Sequence, residues 1–464
     1  MRIAAAQLAG PLERRHGVWR RLSGVQLFVL SFAALVLGGA LGLLVLPGLY
    51  TGPRLGVVDA VFTSASAVCV TGLIVVDTAT YFTVWGQAWI LLLIQAGGLG
   101  ILTFATLIIR LLGRRGALGV ESAAGTGVGA RLGETAAMVR AVFLLTFAIE
   151  GVGAAVLWLL WRTPLGAGPA VWHAAFHAIS AFCNAGFSTF SDNLAGWAGA
   201  PPVLLSVGGL VVLGGIGFVV LEDLRARLLQ RRTRRLTTHS RIALVATAAT
   251  IGLAALLFFA FEGGRTLRGL GVGDRIANAL FMAITPRTAG FNTVDYGGVS
   301  NASYALTIGL MFVGGSPGGT AGGVKTTTAS VLLLLLVSRL RGRRYVPVAG
   351  RSVREDVIQA AAGLVVGAMA ILAMGVFLLL LTEPAVAATD RAGLARLVFE
   401  ANSAFGTVGL SMNKTPELTA GGRIVITLLM FVGRVGPLSL AAAMAVARER
   451  RSAYRYAYDD VAVG

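Results

Sequence analysis

The sequence predicts an all-α membrane protein made of four copies of one helix–half-helix–helix module, arranged pseudo-four-fold about a common axis. Three observations predict it. First, the 464 residues are 56% hydrophobic without counting glycine and only 13% charged, against about 25% charged in a soluble domain. Second, apolar runs exceed the ~18 residues that read as a membrane span, as in Val25 to Leu46, Ala243 to Phe261 and Ala360 to Leu381. Third, one stretch, Ser66-Ala67-Val68-Cys69-Val70-Thr71-Gly72-Leu73, has three echoes: Ser180 to Phe187, Ile284 to Phe291 and Ser403 to Leu410. The echoed glycines, Gly72, Gly186, Gly290 and Gly409, are too far apart for a solenoid repeat and mark one module used four times.

The elements follow in order. Residues 1–22, with Arg14, Arg15, Arg20 and Arg21, read as a basic cytoplasmic N-terminal segment. No small-residue cleavage site follows the first apolar run, so that run reads as a span. Module one, 23–115, has a span ending near Pro47-Gly48, then a stretch from Val57 to Val68. At about 1.5 Å per residue this stretch is too short to cross a bilayer. The Gly72 segment and a second span, Thr83 to Leu112, complete the module. Module two, 138–230, places spans at Met138–Trp161 and Val203–Leu229 around a half-helix at Ala170–Phe182. Module three, 241–340, has its half-helix near Arg275–Thr285, and module four, 356–448, near Leu394–Phe405; residues 449–464 are a tail.

The second spans carry an echo of their own. Gln95-Ala96-Gly97-Gly98 matches Leu213-Gly214-Gly215, and Leu310-Met311-Phe312-Val313-Gly314 matches Leu429-Met430-Phe431-Val432-Gly433 residue for residue. The first glycine of each follows the earlier landmark by 24 to 28 residues.

The net charge of +18 comes from arginines placed beside the spans, which fits a membrane protein's positive-inside bias and does not require nucleic acid. Arg114 and Arg115, Arg225 to Arg235, Arg339 to Arg354 and Arg448 to Arg455 lie between modules or in the tail, whereas the segments inside modules carry fewer. Both termini and all inter-module connections are therefore expected in the cytoplasm of a multi-pass cell-membrane protein with eight spans, and the glycine segments enter from outside.

Irregular backbone at membrane depth survives only where protein buries it or water lines it. Four re-entrant segments converging on one axis would offer carbonyl oxygens in place of a cation's hydration shell, as in a selectivity filter. Each half-helix would aim its negative C-terminal end at the centre. The expected ion-binding positions are Val70, Thr71, Gly72; Asn184, Ala185, Gly186; Thr288, Ala289, Gly290; and Thr407, Val408, Gly409, with no Asp or Glu among them.

A glycine-rich loop, 314–325, breaks the second span of module three. Gly314, Gly315, Ser316, Gly318, Gly319, Thr320, Gly322, Gly323 and Lys325 are its expected gating residues. Val324 separates Gly323 from Lys325, so the stretch fails the Gly-Lys-Ser/Thr pattern of a phosphate-binding loop. Arg434, in the matching helix of module four, carries a charge that is costly at the bilayer centre. It is expected to face the pore below the filter and help hold the gate shut.

Other polar residues point to bland roles. His173 and His177 share a helix face without a third metal ligand and are read as packed against loops. Cys69 and Cys183 are read as small packed residues. Glu150 and Glu400 lie within apolar elements, and Arg287 has to point behind the filter. No clustered acid, base, nucleophile or metal set supports an enzyme. A secondary transporter, the alternative reading, would place its site between interrupted helices of inverted halves; here four copies share one orientation.

The four glycine segments, the loop Gly314–Lys325 and Gly433-Arg434-Val435-Gly436-Pro437 together resemble the Trk/Ktr/HKT superfamily of potassium transporters over nearly the whole chain. The short segment before the first span and the tail Tyr458-Asp459-Asp460-Val461-Ala462-Val463-Gly464 look like the membrane subunit of bacterial Ktr systems. A departure is Cys69 and Cys183 three residues before the filter glycine. The resemblance implies a homodimer with one pore per subunit and K+ as the transported ion, with Na+ as an activator in many members. It also implies gating by a cytosolic RCK-type ring subunit that binds the nucleotide, so that this chain needs no cofactor of its own.

Overall fold

A computed structural model of the chain describes residues 24–115, 128–229, 236–348, 351–384 and 391–436. The N-terminal segment 1–22, residues 437–448 of module four and the tail 449–464 lie outside the described residues.

The first helices of the four modules are Gly24–Val45, Val128–Leu165, Thr238–Glu262 and Glu355–Thr382. Each holds a stretch long and apolar enough to cross a membrane. Leu37, Leu144, Leu256 and Met369 point out of the protein, as side chains facing lipid do. The pore helices are Val57–Val68, Ala167–Cys183, Val272–Ile284 and Arg391–Gly406. Asp59 and Asp274 sit in the first turns of two of them, at the positive end of the helix dipole.

The second helices differ from one another. Val84–Arg115 is unbroken, whereas Ala420–Val435 stops at Gly436, which turns at φ +89°. In module three the helix stops at Phe312 and resumes at Thr326 around the expected loop. In module two the single span expected over Val203–Leu229 is instead two helices, Pro201–Gly215 and Phe218–Leu229, bent by 102°. The module-three loop packs at this bend. The Phe218 N–H donates to the Gly318 carbonyl at 2.9 Å, and Gly217 turns at φ +93°, where a Cβ would lie 2.6 Å from the Pro317 oxygen. Among the described residues four helices pass as spans by length and composition, five with the bent pair counted as one. Of the eight expected from the sequence, the second helices of modules two and three break, and that of module four is described only as far as Gly436.

The apolar core packs the helices of each module on one another and also joins neighbouring modules. Phe62, Leu397 and Met430 belong to a cluster joining modules one and four. Trp161, Leu204 and Phe281 join two and three, and Phe258, Met311 and Phe399 join three and four. This packing explains the second glycine echo. A Cβ on Gly97, Gly214 or Gly433 would overlap the carbonyl of Val68, Phe182 or Phe405, at the C-terminal end of its own module's pore helix. Only glycine lets each second helix close on that end.

Candidate ion pore

The four pore helices end in the centre of the molecule, three of them in the same way. In module one the Val70 N–H donates to Ala67 O (3.1 Å) and the Thr71 N–H to Ser66 O (2.8 Å). Asn184 and Ala185 repeat the pair at 3.0 and 2.7 Å, as do Thr407 and Val408. This is the paired bonding of a Schellman stop, which needs a left-handed residue. Here that residue is Val70 (φ 56°), Asn184 (φ 62°) or Thr407 (φ 50°), and Thr288 (φ 72°) takes the same position in module three. A β-branched residue there is an outlier in ordinary backbone. Two residues on, each of the four echoed glycines is left-handed as well, from φ +68° at Gly186 to +95° at Gly72. Alternation of this kind turns successive carbonyls in a way a strand or helix does not.

The glycines form a closed ring. A Cβ on Gly72 would strike the Ala185 carbonyl. On Gly186 it would lie 2.8 Å from Ala289 O, on Gly290 2.5 Å from Val408 O, and on Gly409 it would strike Thr71 O. Each module's glycine therefore touches the residue before the next module's glycine, in the order one, two, three, four and back to one. Hydroxyls brace the segments from behind: Ser66 Oγ donates to Leu73 O (2.7 Å), Ser180 Oγ to Phe187 O (2.8 Å) and Thr285 Oγ1 to Phe291 O (2.5 Å), while Ser403 Oγ accepts from the Gly409 N–H (3.0 Å). The hydroxyls of Thr71, Thr288 and Thr407 are buried and make no hydrogen bond within the described residues.

On one side of the ring opens a cavity of about 290 Å³ lined by all four glycines. Asp77, Asp192 and Asp295 also line it, acidic residues that the sequence reading did not single out. Asp77 accepts from Ser191 Oγ (2.6 Å) and Asp295 from Asn413 Nδ2 (3.1 Å), which ties neighbouring modules together at the mouth. The signal was available, because an Asp follows the glycine by five or six residues in three modules, with Lys414 in its place in the fourth. Glu417, in the short helical turn Thr415–Glu417 outside the spanning helices, is held below the usual carboxylate range by its bond to that lysine (2.7 Å).

On the other side lies the loop 314–325. It is almost wholly buried and touches three modules. Ser316 N–H donates to Gly215 O (2.9 Å), Thr320 N–H to Gly214 O (3.1 Å) and Thr320 Oγ1 to Phe182 O (3.0 Å). A Cβ on Gly314 would sit 3.0 Å from Thr288 Cγ2, and one on Gly322 would strike Thr407 Oγ1, so the loop lies directly against the ring. Gly315 and Gly319 pack on the Gly215 carbonyl, each with a Cβ distance of 2.7 Å, and Lys325 Nζ donates to Ala321 O at 2.6 Å. The left-handed Gly318 and Gly323 make its turns. Arg434 is 3% exposed and donates through a guanidinium nitrogen to the Thr320 carbonyl. The sequence places this charge at the pore; the group it bonds to is the loop itself.

The remaining candidates sit behind the ring. Arg287 is buried and donates to Thr247 Oγ1 at 3.3 Å. Glu400 accepts from Ser411 Oγ (2.6 Å), the Met412 N–H (3.0 Å) and Thr415 Oγ1 (2.5 Å). Glu150 accepts from Gln95 Nε2 at 3.0 Å, with Cys183 beside both. His173 and His177 bond to Thr189 (2.6 Å) and Ser188 (2.9 Å) and stack on Phe190. Cys69 and Cys183 are free and buried.

Four half-helices meeting at a ring of glycines and backbone carbonyls define a multi-pass helical membrane protein with a candidate ion pore at its centre. Comparison with known proteins agrees. The model of the TrkH family, described as cation transport protein, matches residues 27–456, and the chain belongs to that family. It is 38% identical to Ktr system potassium uptake protein B of Bacillus subtilis, over 96% of this chain and 98% of that one. It is 35% identical to the potassium/sodium uptake protein NtpJ of Enterococcus hirae over the same shares. The crystal structure of the potassium transporter TrkH from Vibrio parahaemolyticus superposes with a TM-score of 0.72 at 20% identity, covering 92% of this chain and 86% of that one; at that identity it speaks for the fold.

Proposed function

We propose that the chain takes up potassium through a channel-like pore whose filter is the ring of Gly72, Gly186, Gly290 and Gly409 with the two residues before each. The observation that carries this reading is the closed ring of glycines against neighbouring carbonyls. Potassium follows from the relatives, whose names state potassium or potassium/sodium uptake. The loop 314–325, clamped by Arg434, is the gate. The C-terminal ends of the pore helices favour a cation at the centre, and the three mouth aspartates raise its local concentration. Single filter glycines bind the ion at few sites and suit sodium as a weaker competitor or activator. A cytosolic RCK-type ring subunit, which binds the nucleotide, moves the gate of a homodimer whose termini are cytoplasmic.

The test is ion flux through the purified protein in liposomes, with and without the cytosolic ring subunit of its own system. Potassium flux above sodium flux supports the reading. Absence of flux for both ions with that subunit bound contradicts it.

A further inference from the structure

Between the first helix of module three and its interrupted second helix runs an open groove of about 560 Å³. Val245, Leu310 and Leu333 are among its lining residues. Val313 and Thr326, where the second helix stops and where it resumes, line it too, as does Arg241 from the first turn of the facing helix. Val245 and Leu333 are exposed, so in a membrane-spanning chain the groove opens to lipid.

Three features choose its occupant. From Ile242 to Thr250 the groove follows the helix for about 12 Å at 1.5 Å per residue, close to one leaflet of a hydrocarbon core about 30 Å thick. Arg241 lies in the first turn of Thr238–Glu262, where that helix enters from the basic inter-module side. It is exposed and makes no ion pair among the described residues, and no acidic side chain lines the groove. An apolar slot of one-leaflet depth with a free guanidinium at its lip matches an acyl chain attached to a phosphate.

The groove also touches the hinge of the loop. The Thr326 N–H donates to Gly315 O at 2.9 Å, and its hydroxyl meets Ser316 Oγ at 2.8 Å. Gly314 N–H donates to Val324 O at 2.9 Å, so both strands of the hinge are bonded to each other beside the groove. A chain packed on Val313 and Thr326 restricts how far the loop can move.

We infer that the groove holds an acyl chain of an anionic phospholipid whose phosphate pairs with Arg241, and that its occupancy restrains the hinge of the 314–325 loop. The second half rests on the reading of that loop as the gate.

The test uses the full chain in phosphatidylcholine vesicles with a phosphatidylglycerol carrying a photoreactive acyl chain. Label is expected in the groove, near Val245 and Ser330. Unlabelled phosphatidylglycerol competes it away and phosphatidylcholine does not. Arg241→Gln, a surface change, weakens that competition by about five-fold, the worth of one arginine at an anionic surface. Ala329→Trp fills the groove and blocks labelling. Potassium flux of the wild type changes by about five-fold or more between the two lipids, while Ala329→Trp does not respond. Label outside the groove, equal competition by phosphatidylcholine, or cross-linking to a second copy of the chain overturns the lipid site. Groove labelling with flux indifferent to lipid overturns the restraint on the hinge. Labelling does not depend on transport, so a failure of the gate reading, seen as Arg434→Ala without effect on flux, is distinguishable from a failure of the site.

Discussion

The two faces of the glycine ring are built differently. Toward the mouth all four modules do nearly the same thing: a half-helix stops, a left-handed residue turns the chain, and a glycine seals against its neighbour. On the opposite face the symmetry is lost. Module three inserts the loop 314–325, module two bends by 102° beside it, and module four contributes Arg434, which bonds to it. A ring that must surround an ion needs four like contributors. A gate needs only one element able to move, with fixed partners around it. On the proposed reading, the difference separates a shared task, coordination, from a specialised one, control of passage.

The comparison can be broken at either face. The largest effect is expected at the ring, where Gly409→Ala puts a methyl into the Thr71 carbonyl and forces alanine to φ +93°, a conformation costing about 1–2 kcal/mol before any overlap. Potassium uptake should fall to background in a growth or flux assay, with the protein still in the membrane. Next comes Arg434→Ala, which removes a charge-assisted bond worth about 1.5–3 kcal/mol from the loop. Flux without the cytosolic partner should rise roughly ten-fold or more, since each 1.4 kcal/mol is a factor of ten in the open population. A smaller effect belongs to the mouth: Asp192→Asn should lower cation uptake about two-fold at low ionic strength and leave it unchanged near 1 M salt, where the Debye length is about 3 Å. The smallest is Arg423→Ala. It breaks the partly buried pair with Asp59 (2.5 Å) that ties module four to module one, and should cost about 1 kcal/mol or less of stability without changing selectivity.

The four modules were legible because glycine registers and apolar lengths are local. The first pore helix runs Val57–Val68 as read from sequence, and the others agree within a few residues. The ring was legible as four glycines. The left-handed residues before them were not, because Val70 and Thr407 are among the side chains least suited to φ > 0; only Asn184 hinted at it. The bend at Gly217 was hidden for another reason. Leu213-Gly214-Gly215-Ile216-Gly217 resembles the unbroken helix of module one, and the groups packed at the bend, Pro317 and Gly318, are a hundred residues away in the chain. The partner of Arg434 was hidden in the same way, since a helix sequence does not say which loop will fold over it.

The most direct test of the central claim is the ratio of potassium to sodium flux in liposomes for the wild type and Gly290→Ser. Gly290 adopts φ +77°, and a Cβ there would lie 2.5 Å from Val408 O, 3.1 Å from Gly186 Cα and 3.2 Å from Gly409 Cα. The side chain therefore enters the ring itself. The account predicts potassium above sodium in the wild type and a ratio near one in the variant. An unchanged ratio with robust flux would contradict it and place discrimination between the ions elsewhere in the molecule.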